Sequence, residues 1–247
     1  MFEFASFLEI AKSAAKRGGK FIEDNKDQDQ QILFDQGRDI KLQIDQDVEK
    51  IIVSYLKSQT PFSILAEEFG ITEELGEYYW VVDPLDGTSN FLRNIPISCV
   101  SVALMHNLDP IIGVIYDFNH DDLYYSHKES KAFLNDKEIT VSNLSLKNKS
   151  TLVTGIPAKK NYSDDEFKRM IVNFQAWKKI RMIGSAAMAS VYVASGRAET
   201  YQEHGIFLWD VAAGAAIVKS AGGKIQIDNM QADYRVDAIF TNNKIET

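Results

Sequence analysis

The sequence predicts a mixed α/β (α+β) chain whose first half is a mostly antiparallel sheet and whose second half alternates strands and helices. Two observations carry this. The apolar runs Ile97–Met105, Ile111–Tyr116 and Leu123–Ser126 are separated only by turn-like groups, His106-Asn107-Leu108-Asp109-Pro110 and Asn119-His120-Asp121-Asp122, which makes an antiparallel meander. Beyond a polar Ser-, Asn- and Lys-rich stretch at 141–150, short apolar strands alternate with helical stripes. That stretch is the candidate seam between residues 1–145 and 146–247, and a chain of 247 residues with 45% hydrophobic content can bury a core of the size this implies.

The elements follow in order. Phe4, Phe7, Leu8, Ala11, Ala14 and Ala15 lie at helical spacing, and Gly18-Gly19 predicts that this helix weakens near its end. Ile44, Val48, Ile51, Ile52, Tyr55 and Leu56 form a second stripe, with Asp45 in its first turn. Phe62–Ala66 reads as a strand running into Glu67-Glu68. Trp80-Val81-Val82 reads as the end of a buried strand, which Pro84 should stop because it cannot donate a ladder bond. Gly87-Thr88-Ser89-Asn90 offers flexible backbone and capping oxygens for a helix start. After the meander come a strand at Thr151–Thr154, an amphipathic helix at Asp164–Trp177, a small-residue helix at Ser185–Ala194, and a strand at Ala198–Glu203. The last helix, Trp209–Ser220, is ended by Gly222-Gly223.

The balance of 35 acidic against 27 basic residues disfavours direct nucleic-acid binding, which needs a basic face. It does not disfavour an anionic ligand held through cations; three divalent ions would bring the formal charge to about −2. Cys99 is the only cysteine, so neither an intrachain disulfide nor a multi-cysteine zinc site is available, and its apolar surroundings mark it as a small core residue. Glu3 and Glu9 interrupt the apolar residues of the first twenty, no run reaches membrane-span length, and the expectation is a protein of a reducing cytoplasm. His106, His120 and His127 fall in turn or strand-end settings, His204 adjoins Glu203, and Trp80, Trp177 and Trp209 are expected in the core.

Carboxylates gather at element ends: Asp45, Glu67-Glu68, Asp83 with Asp86, and Asp210 in the apolar segment Leu208-Trp209-Asp210-Val211-Ala212-Ala213-Gly214. Taken singly, Asp210 reads equally as a helix cap, Glu67-Glu68 as a solvated turn, and Asp83 and Asp86 as turn residues. Together, each adjoining an apolar segment, they must be paired, metal-bound or raised in pKa if they are buried with one another. An all-oxygen donor set suits Mg²⁺, or Mn²⁺ in its place, and a cluster of such ions serves in-line displacement at phosphorus.

The segment Asp83-Pro84-Leu85-Asp86-Gly87-Thr88-Ser89-Asn90-Phe91, with Glu67-Glu68 before it and Leu208–Gly214 after it, resembles the inositol monophosphatase family of magnesium-dependent, lithium-sensitive sugar phosphatases. The similarity runs in order from the first helix to Ala221-Gly222-Gly223. It implies layers α-β-α-β-α, with a larger antiparallel and a smaller mixed sheet and the acids where the halves meet. It implies two to three Mg²⁺: the first on Glu67, Asp83 and the Leu85 carbonyl, the second on Asp83, Asp86 and Asp210, and a weaker third near Glu67. Asp45, Glu67 and Thr88 form the implied catalytic set, Thr88 paired with Asp45 to orient and deprotonate the attacking water, while Gly87 and Thr88 N–H groups receive the phosphate. Asp86, Gly184, Ser185, Ala186 and Glu203 are the implied substrate contacts, and Glu68 lies behind the ligands.

The implied activity is hydrolysis of myo-inositol 1-phosphate or a related sugar phosphate, in a homodimer. The alternatives are a 3′(2′),5′-bisphosphate nucleotidase or fructose-1,6-bisphosphatase, and a phosphatase scaffold that binds a transcription partner. Ser89-Asn90-Phe91 and Leu208-Trp209-Asp210 lean toward the monophosphatase branch. One segment departs from the family pattern: in Asp39-Ile40-Lys41-Leu42-Gln43-Ile44-Asp45, Lys41 and Leu42 stand where a Val-Thr pair is usual, and the lysine usual about ten residues before Asp45 has no counterpart. In the family this loop closes near the third ion, so the resemblance implies an altered third-ion geometry here.

Overall fold

The computed structural model describes residues 3–37, 39–156 and 161–246. Helix α1 (Phe4–Asn25) precedes a two-stranded hairpin, β1 (Ile32–Gln36) and β2 (Asp39–Leu42), which leads directly into α2 (Gln43–Gln59). The larger sheet follows: β3 (Ser63–Ala66), β4 (Gly70–Ile71), β5 (Tyr78–Asp86), the short helix α3 (Thr88–Leu92), β6 (Cys99–His106), β7 (Asp109–Asp117), β8 (Asp122–His127), β9 (Ala132–Leu134) and β10 (Lys137–Ile139). The smaller sheet and its helices are β11 (Thr151–Thr154), α4 (Asp164–Gln175), β12 (Lys179–Met182), α5 (Ala186–Ala194), β13 (Thr200–Phe207), α6 (Leu208–Ser220), β14 (Lys224–Asp228) and β15 (Arg235–Thr241).

Eight strands form the first sheet in the order β10-β9-β8-β7-β6-β5-β3-β4. It is antiparallel throughout except where β3 runs parallel to β5. The second sheet, β12-β11-β13-β15-β14, is mixed: β11 pairs in parallel with β12 and β13, while β15 is antiparallel to β13 and β14. The five expected layers are present. Helices α1 and α2 bury Ala11, Ala14, Val48 and Ile52 against one face of the large sheet, with Trp80, Val102 and Val114. The opposite face packs on α5 and α6, whose other sides meet Val153, Tyr201 and Phe240 of the small sheet. These two helices are apolar or small-sided all round, as a layer enclosed by two sheets requires. Phe174 of α4 and Trp177 cover Leu152 on the outer face.

Two sequence expectations are corrected. Helix α1 continues through Gly18-Gly19 to Asn25. The glycines serve close packing: a Cβ on Gly18 would lie 2.8 Å from Ile52 Cδ1, and one on Gly19 would run into the Tyr116 ring. Strand β5 also passes Pro84. Asp83 pairs with Ser101 and Asp86 with Cys99, so β5 carries one extra residue between them. Such a bulge leaves a residue outside the ladder, where the missing proline N–H is harmless. Cys99 is buried and free, as expected for a core residue. Trp80 and Trp177 are core, whereas Trp209 is only partly buried and stacks on Phe207 at 4.5 Å between ring centroids.

Candidate active site

The β5 bulge sets the geometry of the site. In a regular strand, residues three apart face opposite sides of the sheet. One inserted residue restores the phase, so Asp83 and Asp86 both face α6. Asp210, in the first turn of α6, completes the group: an oxygen from each of Asp83, Asp86 and Asp210 lies within 4.8 Å of the others. Asp210 is not a helix cap; it sits three residues beyond Phe207 and its Oδ2 accepts from the Phe207 N–H at 3.1 Å. Asp45 is held in the same way at the start of α2, where Oδ2 accepts from the Leu42 N–H at 2.7 Å. In both helices the carboxylate reaches back to an otherwise unsatisfied amide, which fixes its rotamer.

Glu67 joins the group from the end of β3. Its N–H bonds the Val82 carbonyl at 3.3 Å, which sets it beside Asp83. The turn is held from below by Glu49, fully buried on α2, whose carboxylate accepts from the Glu68 and Phe69 N–H groups at 2.8 Å each. Sequence reasoning missed Glu49. Its signal was the four-residue spacing from Asp45, which places both acids on one face of α2.

Burial dominates the electrostatics. It raises Asp45 to about 8, partly opposed by the Leu42 amide and reinforced by Glu67 and Glu68. Burial likewise brings Glu67 to about 7. It brings Asp86 to about 6, opposed by hydrogen bonds from Ser185, Ala187 and Ala186. Asp83 and Asp210 are both raised, by desolvation first and by neighbouring carboxylates second. Among the described residues no basic side chain pairs with Asp83, Asp86 or Asp210. Asp45 Oδ1 is buried and has no hydrogen-bond partner. The clustered oxygens of the triad, with an orphaned acceptor near Glu67, fit hard divalent cations.

The substrate side comes from the second half of the chain. Ser185 caps α5, and its hydroxyl donates to Asp86 Oδ2 at 2.5 Å while the Ala187 N–H donates to the same oxygen at 2.7 Å. Asn90 ties this loop to α3: its Nδ2 donates to the Ile97 and Ile183 carbonyls at 2.8 and 2.7 Å. Gly184 has φ +75°, and a Cβ there would sit 3.0 Å from the Asn90 amide. Ala186 is buried in the shared core next to them. Glu203 stands apart from the acid triad on β13, with Tyr201 donating to its Oε2 at 2.9 Å; burial raises it to about 7. It lines a cavity of about 460 Å³ that also exposes Lys147, Arg169, Phe174 and Trp177. Asn90 and Tyr201 are positioning residues that the sequence reading did not single out for these roles.

The phosphate-side residues are placed at α3. Gly87, at φ +92°, is its cap, and a Cβ there would meet the Ile97 carbonyl at 2.7 Å. The Thr88 hydroxyl donates to the Leu85 carbonyl at 3.0 Å. The Thr88–Asp45 pair that the resemblance implies is not made here: Thr88 is engaged with Leu85, and Asp45 Oδ1 has no hydrogen-bond partner.

A five-layered α/β chain with an acidic pocket between its sheets is the architecture of a phosphatase superfamily, and the comparisons identify the branch. The model of the inositol monophosphatase family matches residues 3–244. The inositol-1-monophosphatase of Synechocystis is 36% identical, the match covering 98% of this chain and 87% of that protein. Nus factor SuhB of Xylella fastidiosa is 37% identical over 87% of this chain and 79% of its own length. The solved inositol monophosphatase of Anabaena superposes with a TM-score of 0.85 at 32% identity, covering 97% of this chain and 92% of the other. The chain belongs to the inositol monophosphatase family, and with it to the phosphoric monoester hydrolases.

Proposed function

We propose that this chain is a Mg²⁺-dependent phosphomonoesterase acting on a phosphorylated polyol or sugar, myo-inositol 1-phosphate first among them. The observation that carries the reading is the convergence of Asp83, Asp86 and Asp210 within 4.8 Å, with no basic partner among the described residues. Glu67, Asp83 and the Leu85 carbonyl would hold one ion, and Asp83, Asp86 and Asp210 a second. Bound divalent ions supply charge neutralisation at the ester oxygens and acidify a water.

The chain's own residues do the rest. Asp45 is the group to hold a proton: its Oδ1 is unpartnered, and its pKa of about 8 lies close to neutral working pH. Thr88, at the start of α3 and with its hydroxyl on the Leu85 carbonyl, is the group to orient the attacking water. Gly87 and Thr88 contribute N–H groups that α3 leaves unbonded within the helix. Asp86 and Glu203, with the Gly184-Ser185-Ala186 turn, face the polyol. On this reading residues 1–145 supply most ligands, and 146–247 supply Asp210 and the substrate side. A homodimer and a cytoplasmic location belong to the same proposal; among the described residues no helix is long and apolar enough to cross a membrane.

The test is phosphate release from inositol 1-phosphate with Mg²⁺ and with chelator. Asp83→Asn should reduce kcat/KM by on the order of 10³-fold, about 4 kcal/mol of transition-state stabilisation. Undiminished activity in the variant would remove the metal argument. The cavity beyond Glu203, with Lys147 and Arg169 on its wall, favours keeping bisphosphates in the same substrate panel. A preference for fructose 1,6-bisphosphate or a nucleoside bisphosphate would overturn the choice of inositol 1-phosphate.

A further inference from the structure

The hairpin that leads into α2 delivers a basic side chain, Lys41, to the acidic pocket. Lys41 lies on β2, next to the fully buried Leu42 and four residues before Asp45. Its ammonium meets Glu68 Oε1 at 2.6 Å and stands 3.8 Å from Glu67 Oε1. The Glu68 side chain is 3% exposed, so its charge needs a partner held in place, and Glu49 fixes the backbone of the same turn from below. Lys41 and Glu67 remain about a quarter exposed, so this flank of the pocket stays open to ions from solution.

We propose that Lys41 is a resident counter-ion that holds the outer side of Glu67 with Glu68 and keeps a divalent cation from binding there. The inference rests on the reading that the pocket holds divalent ions. Two adjacent glutamates with Asp45 beside them are a hard-oxygen donor set, and without Lys41 they would take a further cation. With Lys41 present, an incoming ion must displace a tethered ammonium already paired with a buried carboxylate. A tether does not dilute away, so raising the Mg²⁺ concentration recruits no ion at this position in the ordinary range. The ion held by Asp83, Asp86 and Asp210 shares no ligand with Lys41 and is unaffected.

The test counts ions. Mn²⁺, standing in for Mg²⁺, is titrated into the full chain and bound ion is measured by equilibrium dialysis and electron paramagnetic resonance. Lys41→Met should bind one more Mn²⁺ per chain than the unsubstituted protein. Lys41→Gln, which keeps a donor for Glu68 but loses the charge, should also gain it, while Lys41→Arg should not. Adding Glu68→Gln to Lys41→Met should abolish the extra site. Equal counts for the unsubstituted, Met and Gln proteins would overturn the proposal while leaving the inner metal site standing. No Mn²⁺ bound by any of them would overturn the metal reading itself, and this inference with it.

Discussion

Glu203 is held by what surrounds it on three sides, and each neighbour has a separable effect. Tyr201 fixes one oxygen by hydrogen bonding, burial raises the carboxyl, and Gly155 leaves room for the other oxygen. A Cβ on Gly155 would lie 2.5 Å from Glu203 Oε1, so Gly155→Ala must push the carboxylate off its position. If Glu203 faces the polyol, this variant should raise KM for inositol 1-phosphate roughly tenfold or more, since displacements near an ångström are costly at a positioned contact. Mn²⁺ binding should stay as before, because Glu203 is not in the acid triad. A variant that lost Mn²⁺ instead would show Glu203 to be part of the ion site. At this scale the sequence singled out Asp83, Asp86 and Asp210, which the fold brings together, because each adjoined an apolar segment. It did not show what orients them. Asn90 reaches Ile183, 93 positions away, through carbonyls that carry no side-chain signature. The Thr88 hydroxyl turns on a rotamer that no spacing encodes.

The elements that were misread share a physical cause. Gly18-Gly19 reads as a weak point near the helix end by propensity, yet in α1 it is the surface on which Ile52 and Tyr116 pack, and tertiary contact outweighs roughly 1 kcal/mol of intrinsic preference per glycine. Pro84 reads as a strand stop, yet a bulge accommodates it and phases Asp83 with Asp86. The strands β14 and β15 and the hairpin β1–β2 passed unread. β1 is exposed along its length, so burial imposed no alternation on its sequence. The meander and the central helices were legible because each is buried and so carries continuous apolar patterning. Helix α6 supports a prediction of its own. A Cβ on Gly214 would collide with the Ser190 side chain across the α5–α6 contact. Gly214→Ala should therefore destabilise the fold by about 1–3 kcal/mol despite the better helix propensity of alanine. Urea unfolding should show a lower midpoint at unchanged m-value; a stabilised variant would mean the two central helices separate more freely than their packing implies.

Across the whole molecule, the pocket opposes the fold that contains it. The five-layer arrangement brings acids from α2, β3, β5 and α6 into one region between two sheets, and in the metal-free chain their mutual repulsion and desolvation act against the native state. Asp45, Glu67 and Asp86 are raised to about 8, 7 and 6, above the values near 4 that they hold in an unfolded chain. The folded chain therefore binds more protons than the unfolded one between pH 4 and pH 8. By linkage, the stability present below about pH 4 is lost progressively as pH rises through 6, 7 and 8. Each fully buried group contributes up to about 1.4 kcal/mol per unit of raised pKa, and Glu67, a quarter of whose side chain meets solvent, contributes less. Divalent ions compete with those protons for the same oxygens, so their stabilising effect should grow with pH. Thermal melts in chelator should show Tm falling by several degrees from pH 5.5 to pH 8.5. The increment from millimolar Mg²⁺ should be larger at pH 8.5 than at pH 5.5, and protons should be released as it binds. A metal-free Tm that held level or climbed over this range would mean that the acids do not share one desolvated pocket.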